Sequence, residues 1–354
     1  MKADLNSSPA IDWGSIRSLL LLRLRSIGDT VLMTPCLSAL RSWRPDLRIA
    51  VGCEPISAPV LEGHPFMDEL VVIPSGEIGR AQVVAKLRRS GYDLAVNMHG
   101  GTTATLLAAF SGAGLTAGYR GYRLSWLLDL RAPDPDIILG RDKIHSVEQQ
   151  LALLHWLGLP WPEPRPKLSL AVDEAAKEKV KAELSRQGIL GDFAVIAPAA
   201  ALDAKRWPSD RFACVIDHLR RNWGLSGAII AGPGQEDIAN RTAALARSGP
   251  SVFVGMSLKE AIALISLSSI FVGNDSGPMH IAAALGRPLV AIFGPSDVIA
   301  WRPWTDSPHR VVRPIGNRRA IELIPTDQVI EALESVLSGS YVDAETGEGI
   351  GREV

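Results

Sequence analysis

The chain has 354 residues, enough for two domains of ordinary size, and 47% of them are apolar, enough for full cores without covalent staples. A net charge of −1 leaves no electrostatic footprint for a nucleic-acid partner. Three cysteines, Cys36, Cys53 and Cys214, form no CxxC or Cys/His pattern, and an odd number argues against a disulfide framework, so a reducing, cytoplasmic setting is expected.

In chain order, the N-terminal stretch is polar and carries acids, and the next apolar run is broken by Arg23 and Arg25. That run is too short for a signal core, and no apolar run approaches the roughly 20 residues of a membrane span. Strands are expected at 19–24, 48–52, 70–73, 93–97, 193–197, 227–231, 270–272 and 289–293. Helical patterns such as 31–43, 82–89, 210–221 and 258–267 lie between them. Such alternation reads as βαβ units and parallel sheets. The four prolines of "LGLPWPEPRP" at 157–166 suit an extended linker. The chain therefore divides into Rossmann-like halves, 1–165 and 166–338, and the polar, Gly-rich tail 339–354 is expected to be disordered. Two doubly wound domains facing across a cleft would bind ligands beyond the carboxyl ends of their strands, so residues just after strands carry the functional search.

The first of these is "RSIGDT" at 25–30, where an apolar run ends in a carboxylate. Gly28 would allow a tight turn, and Asp29 would open a helix. An acid there stabilises the helix dipole by about 0.3–1 kcal/mol. It could equally serve as a general base. On the same side, His99 in "NMHGG" comes just after a strand, and "GYRGYR" offers Arg120 and Arg123. Asp134-Pro135-Asp136 mimics an Asp-x-Asp metal motif but lies in a Pro-rich stretch and reads as loop.

In the second half, "APAAALDAKRWP" places Lys205 after a strand, where it could neutralise a diphosphate. "AGPGQED" is a Gly turn after a strand, and its Glu236 could hold a ribose hydroxyl. "VGNDSGPMHIAAALG" ends a strand near Gly273 and opens a helix with cap-type residues Asn274, Asp275 and Ser276. Gly277 leaves the entrance clear, and the helix start is a ready anion site to which Ser276 and His280 could add polar contacts.

Together "RLRSIGDTVLMTP", "KRWP", "NDSGPMHIAAALGRPLVAIFGPSD" and "HSVEQQLALLHWLG" resemble the lipopolysaccharide heptosyltransferases of glycosyltransferase family 9, across about residues 17–338. The resemblance implies the GT-B fold and an inverting, metal-independent transferase with no cofactor. It would move heptose from ADP-heptose to a lipid-linked acceptor such as Kdo-lipid A or the inner core, with peripheral contact at the inner face of the inner membrane. By position, Asp29 matches the family's general base and Lys205 its phosphate-binding lysine. Asp275, Ser276, Gly277 and His280 match the segment that holds ADP, and Glu236 aligns loosely with the ribose contact. Some members carry a hydroxyl four positions before the lysine; here Ala201 stands there. Two other readings remain: a relative with another nucleotide sugar or glycan acceptor, and a non-catalytic sugar-nucleotide-binding module.

Overall fold

The computed structural model describes residues 8–314 and 320–339, so the expected disorder of the tail beyond Gly339 lies outside the described residues. The chain forms two compact units, Met1–Ala171 and Val172–Val354. In the first, β1 (Ser18–Leu22), β2 (Arg48–Cys53), β3 (Glu69–Val72), β4 (Leu94–Asn97), β5 (Leu115–Tyr119) and β6 (Leu130–Ala132) form a parallel sheet of order β3-β2-β1-β4-β5-β6. In the second, β7 (Phe193–Ala197), β8 (Ser226–Ile230), β9 (Ser251–Phe253), β10 (Ile270–Asn274), β11 (Leu289–Ile292) and β12 (His309–Val312) are parallel in the order β12-β11-β10-β7-β8-β9. These are the doubly wound α/β domains that the GT-B expectation called for. In each, the order reverses beside the unit's first strand, between β1 and β4 and between β7 and β10. Loops leaving those strand ends diverge, and such a point is where doubly wound sheets bind ligands.

The central strands are buried on both faces, which is why they read as unbroken apolar runs; all five residues of β1, SLLLL, are buried. Helices cover them through one apolar stripe each. The helix Leu258–Leu267 begins where Ser257 and Glu260 exchange bonds, the Ser257 N–H donating to Glu260 Oε2 at 2.8 Å. In the second unit Trp207 is buried against Phe212, and its Nε1 donates to the Ile324 carbonyl at 3.0 Å. Trp207→Ala removes that packing and leaves a cavity, so urea unfolding should show a loss of about 3–5 kcal/mol.

Four strands escaped the sequence reading: β5, β6, β9 and β12. Three of them are edge strands, three or four residues long, with partly exposed faces. Because β6 precedes it, the Asp134-Pro135-Asp136 segment is not a bare loop. Asp134 takes the N-cap position of a short helix, Pro135–Leu139, with proline in its first turn. Among the described residues no helix is long and apolar enough to cross a membrane.

After the helix Ser146–Trp156 the chain runs without regular structure to Asp173, tied back to the first unit. Ser169 N–H donates to Thr34 Oγ1 at 3.1 Å, and Ser169 Oγ meets His64 Nε2 at 2.9 Å. Since His64 Nδ1 accepts the Phe66 N–H at 3.3 Å, Nε2 carries the proton and donates to Ser169. Burial pushes His64 down to about 4, whereas an unfolded histidine titrates near 6.5. Between those values only the unfolded chain takes the proton. This contribution is complete above about pH 6.5 and is lost as pH falls toward 4. From about pH 7 to about pH 5 the loss is roughly 2 kcal/mol. His64→Asn should flatten that part of the profile in urea unfolding.

Candidate active site

In the first unit, β1 ends at Leu22 and the chain turns through Arg23, Leu24, Arg25 and Ser26 into the helix Ile27–Trp43. The helix starts four residues earlier than its apolar pattern suggests, because Ser26 caps it and Asp29 closes the cap. Asp29 Oδ2 accepts the Ser26 N–H and the Ser26 hydroxyl, both at 3.1 Å. Gly28 is the second residue of that helix and makes no turn, which corrects the sequence expectation; the turn lies before it.

Asp29 also does more than cap. Its Oδ1 forms an ion pair with Arg23 Nη2, and both side chains are largely sheltered, Arg23 at 10% and Asp29 at 21% exposure. Arg23 is fixed from its other amino group, Nη1 donating to the Met98 carbonyl at 2.5 Å. A carboxylate offers about four acceptor directions, and these three donors leave one for a further hydroxyl. The arginine thus joins the loop after β1 to the loop after β4, across the switch point.

The loop after β4 is braced by Asn97, wholly buried at the strand end. Its Oδ1 accepts the N–H groups of His99 and Gly100 at 2.9 and 3.0 Å, and its Nδ2 donates to Thr105 Oγ1 at 3.0 Å. Gly100 has φ +85°, and a Cβ there would come within 2.8 Å of the Tyr122 ring, so the position needs glycine. Burial first and the Arg23 charge second hold His99 below its usual value, while the Asp29 charge opposes them. His99 thus lies in the field of the Arg23–Asp29 pair, where its uncharged form is favoured. Burial raises Tyr122 to about 12, against the Arg23 charge. Arg120 and Arg123 are exposed on the loop after β5, one strand further out.

In the second unit, of the three residues expected as helix caps only Ser276 takes the N-cap position, and none of them makes a side-chain cap bond. Asn274 is buried at the end of β10; its Oδ1 accepts the Trp207 N–H at 3.1 Å and its Nδ2 donates to the Pro198 carbonyl at 2.8 Å. This ties the strand end to the loop after β7 that carries Lys205. Asp275, also buried, accepts Lys205 Nζ at 2.6 Å and the Ser296 hydroxyl at 2.5 Å, both on Oδ2. Ser276 donates its hydroxyl back to the Asn274 carbonyl at 3.1 Å. The helix Gly277–Ala284 consequently starts with no side-chain cap, and proline occupies its first turn. Its N-terminal dipole meets no capping side chain, and the Lys205 ammonium is held by Asp275, two residues before the helix begins. His280 is buried one turn along this helix.

Glu236 opens the helix Glu236–Leu245 after β8 and accepts the Gly234 N–H at 3.1 Å. Bonds from its own N–H and from that of Gly234 lower its pKa. It sits at the carboxyl edge of the sheet, one strand from the Lys205 loop. Sequence reasoning missed Arg23, Asn97 and Ser296. Arg23 counted only as a break in an apolar run. Asn97 and Asn274 end the fourth strand of their units, β4 and β10, and a polar residue closing a buried strand was the available signal.

A family model for glycosyltransferase family 9 (heptosyltransferase) matches residues 80–322. Lipopolysaccharide heptosyltransferase 3 of Escherichia coli K12 is 29% identical over 343 residues, 89% of this chain and 96% of the relative. Lipopolysaccharide heptosyltransferase 2 of Salmonella typhimurium is 28% identical over 344 residues, 88% and 96% of the two chains. Among solved structures, ADP-heptose lps heptosyltransferase II of E. coli superposes with a TM-score of 0.78 at 26% identity, over 91% of this chain and 99% of that one. A glycosyl transferase family 9 protein from Veillonella parvula has a TM-score of 0.81 at 24% identity, covering 91% and 97%, a likeness of fold.

Proposed function

This chain belongs to glycosyltransferase family 9, the heptosyltransferases, and from that premise we propose that it moves heptose from ADP-heptose to a lipopolysaccharide core acceptor in one inverting displacement that needs no metal ion. The observation that carries the mechanism is what each unit holds at its own switch point. A sheltered carboxylate with an open acceptor direction lies in the first unit, and an uncapped helix start beside a fixed lysine lies in the second.

The diphosphate of the donor binds Lys205 and the N–H groups at the start of Gly277–Ala284. Asp275 holds Lys205 and does not itself meet the phosphates. Ser296 adds a hydroxyl beside Asp275, the kind of group that Ala201 does not supply. Glu236 takes a ribose hydroxyl, and His280 supports the helix start. In the first unit the acceptor hydroxyl occupies the open direction of Asp29. As its oxygen bonds to the anomeric carbon, its proton passes to the carboxylate and the bond from that carbon to the diphosphate oxygen breaks. ADP departs as an anion stabilised by the lysine and the helix dipole. No protein acid is required, because the leaving group is already a stable anion. His99, in the field of Arg23 and Asp29, hydrogen-bonds the acceptor, and Arg120 and Arg123 suit the anionic groups of Kdo-lipid A or the inner core. The work is done at the cytoplasmic face of the inner membrane, where such an acceptor is anchored.

The test is the configuration at the anomeric carbon. NMR of donor and product should show opposite configurations, with transfer undiminished in EDTA. Retained configuration would remove the single-displacement mechanism, and loss of transfer in EDTA would remove metal independence.

A further inference from the structure

In the second unit, the loop after β7 is gripped from two sides at one carbonyl. Between Ala200 and Arg206 the chain folds back on itself. The Lys205 N–H donates to the Leu202 carbonyl at 3.0 Å, and the Arg206 N–H to that of Asp203 at 2.9 Å. Arg206 then reaches back along the loop. Its Nε donates to the Ala200 carbonyl at 2.8 Å, and its Nη1 pairs with Asp203. The same carbonyl takes a second donor from outside the loop, Gln235 Nε2 at 2.9 Å, which comes from the loop after β8. Gln235 is itself set by a turn, its N–H donating to the Gly232 carbonyl at 3.1 Å. It stands at the N-cap of Glu236–Leu245, yet its side chain makes no cap bond there. Its amide is directed to the neighbouring loop instead.

One donor satisfies a buried carbonyl; donors at both lone pairs leave it no freedom to rotate. The Ala200–Ala201 peptide is trans, so its N–H points opposite to its C=O. Arg206 and Gln235 together therefore hold the Ala201 N–H facing away from themselves. Ala199 and Ala200 are buried, whereas Ala201 is exposed, and among the described residues nothing accepts its N–H. Bonds received by the carbonyl also polarise the peptide and strengthen the donor at its other end. Lys205 follows at the end of the turn Asp203–Lys205 in the same loop. We propose that Gln235 is a positioning residue for the donor diphosphate. It acts through the Ala200–Ala201 peptide, whose N–H donates to a phosphate oxygen in company with the Lys205 ammonium. Ala201, which has no side-chain donor, thus contributes from its main chain. The inference rests on the donor reading above and adds to it a side chain that holds the loop without touching the nucleotide.

Calorimetry of the full chain with ADP, and displacement of ADP by adenosine, test it. Gln235→Leu keeps the bulk and removes the donor. It should weaken ADP about three- to tenfold, the range of one neutral hydrogen bond, and leave adenosine unchanged. In turnover the loss should fall on KM for ADP-heptose with kcat little altered, because the contact exists before and during transfer. Gln235→Glu has the same size but sets an acceptor against the Ala200 carbonyl, and should lose at least as much. In protein carrying ¹⁵N-alanine, the Ala201 amide resonance should move when ADP is added to wild type, and move less in Gln235→Leu. Should either variant unfold, the wild-type amide decides alone. Unchanged ADP affinity in both variants, or a wild-type Ala201 amide that ADP does not move, would overturn the inference. Equal weakening of ADP and adenosine would overturn it too, placing Gln235 with Glu236 at the ribose. Wild type that binds no ADP would instead count against the donor reading itself and take this inference with it.

Discussion

Asp29→Asn should lower kcat by about 10²–10⁴-fold, the usual contribution of a positioned base, while ADP-heptose affinity stays close to wild type. The donor's proposed contacts are all in the second unit, so the base can be removed without touching them. The substitution has a second consequence that must be kept apart from catalysis. It leaves the buried Arg23 without its counter-charge, and breaking a sheltered pair from one side costs about 3–5 kcal/mol. Arg23→Gln/Asp29→Asn removes both charges and should recover most of that stability in urea unfolding. If Asp29 is the base, the double variant remains inactive. Recovery of transfer together with stability would mean that Asp29 serves only the cap and the ion pair.

Lys205→Met should have the second large effect, lowering kcat/KM by about 10²–10³-fold, as loss of one fixed donor to a developing anion does. Here ADP binding itself should weaken, measured by calorimetry, because the proposed contact of the lysine with the diphosphate exists before and after transfer. Asp275 keeps the Ser296 hydroxyl but loses its ammonium partner, so some stability goes too. Lys205→Met/Asp275→Asn relieves that strain without restoring the cation. Lys205→Arg keeps the charge in a different shape and should retain part of the activity. Unchanged ADP affinity in Lys205→Met would take the lysine out of the donor site.

Doubly wound halves were legible in the sequence because central parallel strands are buried on both faces and leave runs such as SLLLL and FAVIA. The edge strands β6, β9 and β12 pair on one side only, are short, and give no such run. For the site, the residues just beyond strand ends were readable. Asp29, His99, Lys205 and Asp275 all fall on segments leaving β1, β4, β7 and β10, the strands that flank the two switch points. The role of each side chain there was not readable. Asp275 looks like a cap residue, yet it grips a lysine 70 positions away. Arg23 looks like an interruption, yet it pairs with Asp29 and reaches the Met98 carbonyl 75 positions on. Contacts that distant in sequence leave no local pattern, and only the strand order brings them together.

The most direct measurement is ADP release from ADP-heptose in EDTA, with and without a Kdo-bearing lipid A acceptor, for wild type and Asp29→Asn. Release that requires the acceptor, persists in EDTA and disappears in the variant is the predicted result. Release by wild type that is indifferent to the acceptor, or that survives in Asp29→Asn, would contradict the account.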